Sequence, residues 1–175
     1  MHKKVLGLLY FGVAISILVA GLMFTNWLPT VLQEGAMKKY RSIEEVQSKL
    51  KMRDIYVPSY IPQSITWPPS GIMAQTRPFP AVFMEFTHGK KGEVDLVISQ
   101  VADKGSILDR KLALVQVREK IAYPLKGRDA LLEVGLCKGD VVCSRVSWNE
   151  SGYTITVSMK AAPFELLKIA ESMLR

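Results

Sequence analysis

From Val5 to Leu28 the chain reads VLGLLYFGVAISILVAGLMFTNWL, without one charged side chain. No other feature limits the possible architectures so far. At about 1.5 Å of rise per residue a helix over this run is roughly 36 Å long, more than the roughly 30 Å hydrocarbon core of a bilayer. The run therefore predicts one transmembrane signal anchor over residues 5–28, with a short tail at 1–4, a juxtamembrane connector at 29–41 and a single extracytoplasmic domain at 42–175. A cleaved secretory signal is the competing reading, since Lys3 and Lys4 precede the run. The run is about twice the usual length of a signal core, and its small-residue site, Val19-Ala20-Gly21, lies inside it, which favours an uncleaved anchor. Lys38, Lys39 and Arg41 beyond the run balance Lys3 and Lys4, so charge alone does not orient it.

Composition narrows the function classes. Lys and Arg total 23 against 16 Asp and Glu, a net charge of +7. These charges are scattered rather than interleaved with aromatics on one face, and no nucleic-acid-reading motif is present, so no nucleic-acid partner is expected. A basic surface beside anionic lipid headgroups is the simpler reading.

Beyond the connector, Ser42-Ile43-Glu44-Glu45 is a capping box, and Ile43, Val46 and Leu50 share one side of a short helix ending near Lys51. Prolines at 58, 62, 68 and 69 then exclude helix and regular pairing, which predicts a stiff, extended loop bearing Tyr56, Tyr60 and Trp67, with Phe79 further on. Alternation with a period of two follows. Val82, Met84 and Phe86, then Val94, Leu96 and Ile98, predict a hairpin turned near residues 88–92. Residues 106–117 fit a helix through Leu108, Leu112 and Val115, while Leu114, Gln116 and Arg118 alternate with Val115 and Val117 as a strand would; helix is the reading adopted. Strands are expected over 119–125, 132–136, 142–148 and 153–159. The segment from Pro163 predicts a closing helix with Phe164, Leu167, Ala170 and Leu174 on its apolar stripe, widened by Leu166 and Met173. The expected fold is thus α+β: a transmembrane helix, then a curved antiparallel sheet of hairpin plus meander, packed with a short N-terminal and a C-terminal helix.

Cys137 and Cys143 are the two cysteines. Set opposite each other across a hairpin, on its exposed face, they form a disulfide candidate; two free thiols and a metal pair are the alternatives, and two thiolates without a nearby His fall short of a four-ligand metal site. A bridge would place the domain in an oxidising compartment. On the same face Glu133 and Arg145 are expected as a diagonal ion pair. His88 sits in a Gly- and Lys-rich turn and reads as a solvated residue. Nucleophile, phosphate-loop and metal motifs are missing, so neither an enzyme nor a cofactor or metal is expected. The partner- or ligand-binding candidates are Tyr56, Tyr60, Trp67 and Phe79, whose alternative role is to plug the end of an open sheet.

The order of a short helix, an extended Val57-Pro58-Ser59-Tyr60-Ile61-Pro62, a hairpin, strands carrying Trp148 and Tyr153, and a closing helix from Phe164 to Met173 resembles a known family. It looks like the extracytoplasmic domain of unknown function that follows the membrane helix in some bacterial anti-sigma-factor and sporulation-related proteins, itself distantly similar to lipoprotein-carrier folds. The Val57–Pro62 stretch replaces that domain's "P-x-x-L-P" signature. With only residues 1–4 ahead of the apolar run, binding of a sigma factor is not expected. The resemblance implies a single-pass, non-catalytic binding or regulatory module of the bacterial cytoplasmic membrane, its domain outside the cytoplasm, with an envelope protein or a lipid as partner. Lipid or lipoprotein handling, with an acyl chain held between sheet and helices, is the alternative.

Overall fold

The computed structural model describes residues 15–17, 21, 37–52, 54–89, 92–102 and 111–174. The chain divides into two units, Met1–Met37 and Lys38–Arg175. In the first, residues 15–17 and 21 are helical, with Ile15 and Ile17 exposed. Among the described residues no helix is long and apolar enough to cross a membrane. The rest of the 5–28 run lies outside the described residues, and the fold expected around a transmembrane helix is corrected accordingly.

The second unit is dominated by an antiparallel sheet of eight strands: β1 (Lys38–Tyr40), β2 (Gly71–Gln75), β3 (Ala81–Thr87), β4 (Val94–Ala102), β5 (Leu114–Leu125), β6 (Arg128–Cys137), β7 (Val141–Glu150) and β8 (Tyr153–Met159). Their spatial order is β1-β2-β3-β4-β8-β7-β6-β5. Two four-stranded meanders are therefore joined along β4 and β8, and the link from β4 to β5 carries the chain from the sheet centre to its far edge. The helices are short: α1 (Ile43–Leu50) has 8 residues and α2 (Pro163–Ser172) has 10. An α+β balance of helix and sheet is thus replaced by a sheet with two helices laid on one face.

That face is built by alternation. Val82, Met84, Phe86, Leu96, Ile98, Val146, Trp148, Ile155 and Val157 form one core with Val46 of α1 and Leu166, Ile169 and Ala170 of α2. Side chains two apart on a strand share a face, and here those sets join both helices in one core. Ser42 caps α1, its Oγ accepting from the Glu45 amide at 3.2 Å. Glu45 reaches back one residue further than a capping box requires, to the Arg41 amide at 2.7 Å. On α2 the buried stripe is Leu166, Ile169, Ala170, Met173 and Leu174, whereas Phe164 is 69% exposed, with the Lys168 ammonium 4.2 Å from its ring centre. Ala170, Leu174, Leu166 and Met173 are thus buried as expected, Ile169 joins them and Phe164 alone is clearly turned out; ahead of the helix, Ser144 Oγ donates to the Ala161 carbonyl at 2.8 Å.

Other expectations change with the sheet. Lys38–Tyr40, read as connector, is an edge strand, and β2 was hidden behind the proline-rich loop. Leu114–Val117, read as helix, opens β5 instead; residues 103–110 lie outside the described set. The β7–β8 turn is Ser151-Gly152, both at positive φ, so Trp148 pairs with Ile155 and Val146 with Val157. A tight two-residue loop shifts that register by two from the four-residue loop expected, and an even shift keeps every side chain on its predicted face.

Candidate functional site

The proline-rich segment after α1 is stitched to the sheet along its length. Gln100, fully buried on the core face of β4, donates from Nε2 to the Asp54 carbonyl at 2.6 Å and accepts at Oε1 from the Tyr56 amide at 3.1 Å. Further on, Ser59 Oγ donates to the Ser172 carbonyl at 3.0 Å and the Tyr60 amide donates to Ser172 Oγ at 3.2 Å. The Thr66 amide donates to Thr87 and the Ser70 amide to Glu85. A segment that cannot enter a ladder is thus satisfied one group at a time, as buried backbone requires.

These bonds hold the four aromatics in different surroundings. Tyr60 is exposed and donates from its hydroxyl to Glu165 Oε2 at 2.8 Å. That bond, then the Lys168 ammonium, holds the Glu165 carboxyl below its usual range, and the same bond raises the Tyr60 phenol. Trp67 is 51% exposed and stacks at 6.0 Å on buried Phe86. Phe79 lies between β2 and β3, its carbonyl accepting from Gln75 Nε2 at 3.2 Å. Tyr56 alone of the four lines a cleft of about 460 Å³.

That cleft joins Gln47 of α1, the Asp54–Val57 start of the loop, and Met173 and Leu174 after α2 to Arg128 and Glu150. The last two come together through register. Ala130 pairs with Trp148, so continuing the β6–β7 ladder by two residues sets Arg128 beside Glu150 on the helix-bearing face. Their contact is two-pronged: Nε to Oε2 at 2.5 Å and Nη2 to Oε1 at 3.2 Å. The guanidinium holds the Glu150 carboxyl below its ordinary range, and the carboxylate raises Arg128. Apolar Ile55, Val57, Met173 and Leu174 and the Tyr56 ring line the remainder. Such a mixture of a few oriented polar groups on apolar walls suits a binding cleft. Residue-by-residue reading missed Arg128 and Glu150; a correct hairpin register would have found them as opposite charges facing each other.

No family model, curated protein or solved structure matches this chain. The site therefore rests on its own geometry.

Cys137 and Cys143 form a disulfide, with Cα atoms 5.7 Å apart. Two details differ from expectation. The cysteines are diagonal rather than opposite, since Cys137 pairs with Val141 and Cys143 with Gly135. They are also buried rather than exposed. The reason is the chain leading into β5: Leu114 pairs with Cys137, and buried Leu112 is tied to this side by its carbonyl, which accepts from Arg145 Nη2 at 3.4 Å. Glu133 and Arg145 are directly opposite rather than diagonal, 4.0 Å apart, with Lys120 3.4 Å from Glu133. His88, in its exposed turn, stands 3.5 Å from Asp95. Among the described residues no three His, Cys, Asp or Glu side chains group as metal ligands would.

Proposed function

We propose that this protein is a non-catalytic binding module of the bacterial cell envelope, its sheet domain outside the cytoplasm, engaging a partner at the Tyr56 cleft. The observation that carries this reading is the cleft itself: about 460 Å³, floored by a stitched loop and walled by the Arg128–Glu150 pair. The two charged walls satisfy each other, which suits recognition better than acid–base work. The buried disulfide supports an oxidising location. Residues filling the sheet–helix interface, among them Phe86, Leu166 and Ile169, are fully buried, which speaks against an acyl chain held there.

A photo-crosslinking residue at Tyr56 of the full chain, expressed in cells, should yield a discrete adduct that the same residue at Lys138 does not. Identical adducts from both positions would remove the cleft as the site. A native mass increased by a few hundred daltons and restored by organic solvent would favour lipid handling instead.

A further inference from the structure

The two edges of the sheet are unequal. One is the three-residue β1; the other is β5, with 12 residues. Residues 115–122 of β5 are all exposed, on both faces, including Val115 at 73%, Val117 at 46% and Ile121 at 45%. Among the described residues β5 pairs with β6 alone. A long edge of unpaired backbone groups is a template for another strand, which proteins ordinarily shorten or cover.

Which groups face outward follows from the turn. Lys126 and Gly127, both at positive φ, make a two-residue hairpin loop closed by Leu125 and Arg128. In such a hairpin the closing pair exchanges both ladder bonds, and inward-bonding residues then alternate along the strand. Leu125, Tyr123 and Ile121 therefore bond to β6. Pro124, Ala122 and Lys120 turn their backbone groups to the open edge. Pro124 agrees, since a proline on an edge strand sits with its missing N–H away from the ladder. The amides and carbonyls of Lys120 and Ala122, with the Pro124 carbonyl, thus form a short docking ladder. The bulge between Val117 and Glu119 ends it on one side and Pro124 on the other.

We infer that this edge takes an extended, acidic peptide segment as a ninth strand, paired along Lys120 to Pro124. The charge is the reason for an acidic occupant. Arg118, Lys120 and Lys126 lie on or beside this edge against Glu119 on the same strand, and the Lys120 side chain is 60% exposed even though it stands 3.4 Å from Glu133. A second copy of the chain would set this cationic edge against itself, and like charges across a strand pair are unfavourable. Strand addition of this kind draws affinity from backbone bonds and selectivity from alternate side chains.

The test uses the whole chain and two short acetylated, amidated peptides, one alternating valine with glutamate, the other valine with lysine. On adding the glutamate peptide, the Lys120 and Ala122 amides should gain protection from hydrogen exchange. Ala122→Pro removes an outward N–H without touching the β6 ladder, so it should leave the melting temperature unchanged and weaken binding by about three- to tenfold or more. Lys120→Glu, which keeps the backbone intact, should weaken the glutamate peptide likewise and serves if Ala122→Pro fails to fold. Equal binding of both peptides, or no protection at these amides, would overturn the proposal. Protection that rises with protein concentration alone would make the occupant a second copy and overturn it as well.

Discussion

A β-carbon placed on Gly135 would stand inside the van der Waals envelope of the Gln116 carbonyl oxygen, 2.9 Å from its carbon and 3.0 Å from Val117 Cα. β5 is bulged here, with its register slipping between Leu114 and Gln116 and again between Val117 and Glu119. The extra residues press the β5 backbone onto β6 where only a hydrogen fits. Gly135→Ala should therefore destabilise the domain by about 1–3 kcal/mol through overpacking, seen as a lower urea midpoint. An unchanged midpoint would mean that the bulge moves aside freely.

Removing the Cys137–Cys143 bridge frees a short loop in the unfolded chain, a change of about 2–3 kcal/mol in the loop-closure account. Cys137→Ser should lower the melting temperature under non-reducing conditions and should match wild type once wild type is reduced. Because both cysteines are buried, reduction of the native protein should be slow without denaturant. An equal deficit of the variant with and without reductant would show that its cause is packing rather than the bridge.

Gln100 is the stitch between sheet and loop. Gln100→Leu strands the Asp54 carbonyl and the Tyr56 amide, and each buried unsatisfied group costs about 1–3 kcal/mol. Hydrogen exchange should accelerate most at Tyr56 and its neighbours, ahead of the β4–β8 centre. Uniform acceleration across the sheet would deny the local role.

The Arg128–Glu150 pair carries a pH dependence of definite sign. Arg128 holds the folded Glu150 carboxyl below its ordinary value. The stabilisation is therefore present above the unfolded-state pKa, about 4.3, and is lost as pH falls through the lower, folded value. Glu150→Gln should flatten the acid limb of the stability curve below about pH 5, where pairing is lost in wild type. Since Arg128 is a third exposed, the effect should shrink in high salt. A steeper acid limb in the variant would contradict the assignment.

Much of the fold was legible locally. Ser42 and Glu45 mark the start of α1, the alternation of Val82, Met84 and Phe86 assigns β3 and its buried face, and Tyr153 to Met159 reads as the strand it is. Registers slipped by two at Ser151-Gly152 and at the cysteines because loop length, not side-chain alternation, sets the offset, and an even offset leaves the pattern of faces untouched. Leu114–Val117 misled because both periods are present there: the helical spacing of Leu108, Leu112 and Val115 competes with the strand alternation of Leu114 to Arg118, and the structure takes the strand. Phe164 misled because an apolar residue in an amphipathic helix was assigned to the core, whereas its ring lies exposed in the first turn beside the Lys168 ammonium.

The sequence by itself determined the strands of clear alternation, such as Ala81–Thr87 and Tyr153–Met159, the faces their side chains share, and where proline forbids regular structure, because these depend on period and backbone chemistry within a few residues. Tertiary structure alone decided that Arg128 meets Glu150, that Gln100 clasps the Tyr56 loop, that both cysteines are buried and that β5 forms an edge. Each of these joins positions far apart in the chain or depends on strand order, which side-chain alternation does not encode.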